Sequence, residues 1–124
     1  MRKLAFVLIA GASAAIAGAA LAQQSRSDVA IGFINRCVAP LQSEMTNPEP
    51  GCACVLGHMS VRMSDRQLAI AGRLMPKSAE PGELNAEIAA LRRDGYATRD
   101  ITTARRVMSE VSATMEMTCQ RLFR

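Results

Sequence analysis

The sequence predicts an all-α fold: a small helical bundle of four to five helices, stapled by two disulfides and preceded by a signal peptide. Three observations carry that prediction. Apolar residues recur at steps of three and four over most of the chain, four cysteines fall where helix ends can meet, and an export-type leader opens the sequence. No alternating pattern of comparable strength argues for a strand, and there is no internal repeat.

The leader comes first. Met1-Arg2-Lys3 is followed by an apolar run over 4–22 that closes on Ala20-Leu21-Ala22. A cationic start, an apolar middle and small residues at the exit describe a secretory signal peptide. Its length would also permit a membrane-spanning helix. However, Gly11 to Ala22 is mostly alanine and glycine, too weakly apolar for a typical anchor. Residues 1–22 are therefore read as the signal and 23–124 as a single helical domain, with no stable membrane insertion after cleavage. The expected location is periplasmic or secreted, an oxidising setting in which cysteines pair.

Ala30, Phe33, Ile34, Cys37 and Val38 form the first helical stripe, which should stop near Val38 because Pro40 disfavours helical geometry at Ala39. Thr46 to Gly51, with two prolines and a glycine, reads as a loop. Cys52, Val55, Leu56, Met59 and Met63 then share one helical face. Ser64-Asp65-Arg66-Gln67 has the pattern of a capping box and starts a third helix carrying Leu68, Ala71, Leu74 and Met75. Pro76-Lys77-Ser78 breaks it. Pro81 suits the first position of a fourth helix, lined by Leu84, Ile88 and Leu91 and ending at Asp94-Gly95. Thr98 is the expected cap of the last helix, with Asp100 near the positive end of its dipole. Its seam reads Ile101, Ala104, Met108, Val111, Met115, Thr118 and Leu122.

These elements locate the four cysteines. Cys37 ends the first helix, Cys52 and Cys54 start the second, and Cys119 lies near the end of the last. All four are assigned to disulfides. Pairing Cys52 with Cys54 is disfavoured, because residues two apart on a helix point in different directions. Either remaining arrangement ties the second helix to both the first and the last. Cys37–Cys54 with Cys52–Cys119 is the pairing taken here, and the swapped arrangement stays open.

Fifteen bases against eleven acids give a formal charge of +4, which falls by two once Arg2 and Lys3 are removed. There is no basic run, and Phe33, Tyr96 and Phe123 are too few to stack bases, so nucleic acid is not an expected partner. No nucleophile-elbow motif and no glycine-rich phosphate loop is present, and His58 is the sole histidine. Glu83 and Glu87 share what reads as a solvated helix face. No catalytic residue and no cofactor is therefore assigned.

What remains is a non-catalytic binding or structural role with an unidentified partner, taken as another periplasmic protein. The candidate contact regions are the acidic segment from Leu41 to Gly51 and the Arg92-Arg93 and Arg105-Arg106 pairs. The alternative is a soft-metal, copper-binding protein using Cys54, His58 and Met59, with Met63, Met115 and Met117 as further thioethers. Cys54 and His58 lie one helical turn apart, a spacing that places two ligands on one ion. Against it, two disulfides would consume the thiolates a metal needs. Thiol exchange at Cys52-Ala53-Cys54 ranks third, since a one-residue gap makes a strained ring.

Overall fold

The computed structural model describes residues 24–124; the signal peptide read over 1–22 lies outside the described residues. Among the described residues there are five α-helices, in the order α1 (Arg26–Val38), α2 (Glu49–Ser60), α3 (Asp65–Leu74), α4 (Pro81–Arg93) and α5 (Thr98–Cys119). Single 3₁₀ turns follow α1, α3 and α5, and no strand occurs among the described residues. The all-α reading holds.

Local chemistry sets most of the boundaries. Ser25 caps α1 by accepting the Asp28 N–H at 3.1 Å, and the helix stops at Val38, before Pro40. α2 starts three residues before the expected Cys52. Pro48 occupies the cap and Pro50 the first turn, where the missing N–H of proline needs no partner. The capping box on α3 forms as read: Gln67 N–H donates to Ser64 Oγ at 3.2 Å, and Ser64 N–H to Gln67 Oε1 at 3.0 Å. Pro81 opens α4.

At the far end of α4, Gly95 adopts φ 95°, which favours glycine. There Tyr96 N–H bonds Leu91 C=O at 3.0 Å and Gly95 N–H bonds Arg92 C=O at 3.1 Å, closing a Schellman motif. The expected cap of α5 is corrected. Ala97 holds that position, Thr98 is the first helical residue, and no side chain caps this end.

α3 lies at the centre, packed against α1 on one side and α5 on the other, with Leu68, Ile70, Ala71, Gly72 and Leu74 all buried. Gly72 lets Phe33 of α1 sit close; a methyl group there would meet the ring at 3.2 Å. The core falls into two clusters. One joins Val29, Phe33, Val55, Met59, Met63, Leu68, Val107, Val111 and Cys119, around the cysteine-bearing helices. The other joins Ile70, Leu74, Ile88, Leu91, Ile101 and Ala104, between α3, α4 and the start of α5.

The expected seam of α5 is correct for its first half and drifts in the second. Ile101, Ala104 and Val111 are buried, but Val107 and Cys119 take inward positions while Thr118 and Leu122 are exposed. A strict seven-residue repeat rotates by about 20° per heptad on a straight helix. Over a helix of 22 residues that drift hands the inner face to the neighbouring position.

Candidate functional site

The two disulfides are Cys37–Cys52 and Cys54–Cys119, with Cα–Cα distances of 5.9 and 5.6 Å. All four cysteines assigned to bridges are in bridges, but the pairing taken from the sequence is the wrong one of the two. The reason is rotational. Cys52 points from the first turn of α2 into the α1 interface and is fully buried, while Cys54, two residues on, points around the helix toward α5. Cys-Ala-Cys is thus not a dithiol unit; each sulfur belongs to a different interface. The two closed loops, of 15 and 65 residues separation, do not overlap in sequence.

The environments of the bridges differ. Cys37 and Cys52 are both buried. In the second bridge Cys119 is buried but Cys54 is only half-buried, and His58 lies alongside on the same face of α2. One nitrogen of His58 and the sulfurs of Cys54 and Cys119 all fall within 4.8 Å of one another.

The ring is held by Thr118, whose Oγ1 is 2.8 Å from His58 Nε2. That hydroxyl donates its proton to the Thr114 carbonyl at 2.7 Å, which leaves Nε2–H as the donor to Thr118. Thr118 Oγ1 also lies 3.7 Å from Cys119 Sγ. The sequence placed Cys54 and His58 together, but its third ligand, Met59, was a core residue. Met59 is 1% exposed inside the first cluster, and the sulfur that completes the group with Cys54 and His58 is that of Cys119. Met63 is likewise buried and Met117 stands out on the surface. The turn of α5 that carries Cys119 to α2 was the missing signal.

A second feature was not read from the sequence. Met59, Leu74, Met75, Leu84, Met108 and Met115 line an almost wholly apolar groove of about 310 Å³, with Arg105 and three serines along it. Its residues come from α2, α3, α4 and α5, so no single stripe reveals it.

The remaining candidates sit on the outside. The segment from Leu41 is short and tied down, because α2 takes over from Glu49 and Asn47 N–H donates to the carbonyl of Arg124. Arg92 and Arg93 are exposed. Arg106 pairs with Glu110 at 2.8 Å, and Arg62 reaches the same carboxylate. The hydrogen bonds from Arg106 and then Arg62 hold Glu110 below the usual carboxylate range. Arg73 bridges α3 and α4 through Glu87 at 2.7 Å and Asp94 at 2.6 Å. Burial pulls its guanidinium down, but the bonds it donates to Asp94 and Glu87 outweigh that and leave it above its ordinary value.

The class is therefore a small, disulfide-stapled all-α protein. Neither a protein-family model, nor a curated protein, nor a solved structure matches the chain.

Proposed function

We propose that this is an exported, non-catalytic binding protein that holds an apolar segment of another protein of the same compartment in its methionine-lined groove. The groove is the observation that carries the reading. Its volume, about 310 Å³, is at the small end of ligand sites, enough for a few side chains of a partner and not for an enclosed substrate. Methionine is unbranched and polarisable, so a surface built from it repacks around partners of different shape. Two disulfides support a working place outside the reducing cytoplasm, in the periplasm or beyond the cell. They also fix α1, α2 and α5, so that the flexible part of the site is its side chains.

The test is a titration of protein carrying methyl-labelled methionine with a Leu-rich amphipathic peptide, followed by NMR. Met75, Met108 and Met115 should shift, and Met117, on the outer surface, should not. Unchanged groove methyls at millimolar peptide would defeat the proposal. Export is checked separately. Protein taken from the periplasm or medium should show no free thiols before reduction and four afterwards.

A further inference from the structure

The geometry points to a second site, independent of the groove: a redox-gated position for a soft metal ion, Cu(I), made by Cys54, Cys119 and His58. The three ligand atoms already lie within 4.8 Å of one another. Metal–sulfur bonds of about 2.3 Å and metal–nitrogen bonds of about 2.0 Å put the ligands of one ion roughly 3.5–4 Å apart. Once the bridge opens, the two sulfurs part to that spacing and the imidazole nitrogen closes on them, shifts of an ångström or two that side-chain rotation supplies. Two thiolates and an imidazole form a soft set of three donors; thiolates suit both Cu(I) and Zn(II), but zinc takes a fourth ligand whereas three donors fill the low coordination number of Cu(I). Thr118 acts as the outer partner of such a ligand, fixing the His58 ring through its hydroxyl.

While the bridge is closed, its sulfurs share a bond and offer no thiolate, so the site is shut. Opening it takes two electrons from a dithiol reductant, a thiol–disulfide exchange partner of the same compartment. One thiolate of that reductant attacks Cys54 Sγ, the more accessible half of the bridge. The Cys54–Cys119 bond breaks and Cys119 leaves as a thiolate beside the Thr118 hydroxyl. The reductant's second thiolate then displaces Cys54, so the reductant is oxidised to its disulfide and Cys54 is released. Binding of Cu(I) expels whatever protons the two sulfurs have taken up. Cys37–Cys52 is buried on both sides and stays closed, which keeps α1 on α2 while the site is open.

The experiment uses the purified oxidised protein and the same protein after limited anaerobic reduction, with alkylation and peptide mapping to confirm that only Cys54–Cys119 has opened. Cu(I) is supplied from a chromophoric chelator. The reduced protein should withdraw one copper per chain, and the oxidised protein should bind at least about 100-fold more weakly. His58→Asn, at a half-exposed position that leaves both thiols in place, should weaken binding in the reduced protein about 10-fold or more. Circular dichroism of each sample checks that the helices persist. Equal binding by oxidised and reduced protein would overturn the inference, and so would an unchanged affinity in His58→Asn. If limited reduction opens Cys37–Cys52 first, the ordering of the bridges is wrong and the gate is refuted.

Discussion

The two halves of the core are closed by different means. Around α1, α2 and the end of α5, the buried residues include Val29, Val55, Met59, Met63, Val107 and Val111, and both disulfides sit here. Between α3, α4 and the start of α5, the cluster is almost wholly leucine and isoleucine, with no bridge. There Arg73 ties the two helices across its edge to Glu87 and Asp94. The first cluster holds four valines and Phe33 beside its two buried methionines, and Met75, Met108 and Met115 pack at its margin, where an unbranched side chain adapts to fill gaps. Covalent links stand in the half that carries most of the methionines.

Removing both bridges is the sharpest way to break that comparison. Chain entropy assigns about 3 kcal/mol to a loop of 15 residues and about 4 kcal/mol to one of 65. Because the loops do not overlap, the two losses should add. Urea denaturation of Cys37→Ser/Cys52→Ser, of Cys54→Ser/Cys119→Ser and of the fourfold variant tests both the sizes and the sum. In the other half, Leu91→Ala should cost about 2–5 kcal/mol by opening a cavity in the fully buried centre of the second cluster.

Smaller changes sharpen the contrast. Arg73→Met leaves Glu87, half-buried, without its partner and should cost about 1–2 kcal/mol, read as a lower urea midpoint. At the other pole, a methyl group on Gly51 would stand 2.6 Å from the ring of Phe123. Gly51→Ala should therefore push that ring off α2 at a cost of about 1 kcal/mol. Phe123→Ala made on the Gly51→Ala background should recover most of the conflict, which a thermal melt of the double variant measures.

The smallest effect is in the pH profile. Glu110 titrates below its unfolded value, so its contribution is present above the usual carboxylate range and is lost as pH falls through its folded value. Because the pair is exposed, the change is slight. Glu110→Gln should flatten the acid limb of Tm against pH and leave Tm at neutral pH nearly unchanged.

Most of the fold was legible because single-helix signals decide it. The Ser64/Gln67 box, Pro81 and the Asp94-Gly95 end are local devices, and each forms where the residues place it. Thr98 failed as a cap because the chain enters α5 one residue earlier, at Ala97. The disulfide pairing was not legible. Spacing shows that Cys52 and Cys54 face apart, but which faces α1 depends on how three helices cross. The candidate site was half legible for the same reason. Cys54 and His58 share a helix and were found together, while Cys119 arrives from α5 after its seam has drifted.

Hydrogen exchange on oxidised and fully reduced protein tests the division of labour most directly. Amides of α1, α2 and the last turns of α5 should lose far more protection on reduction than those of α3, α4 and the first turns of α5. An equal loss at both poles, or a greater one at α3 and α4, would contradict it.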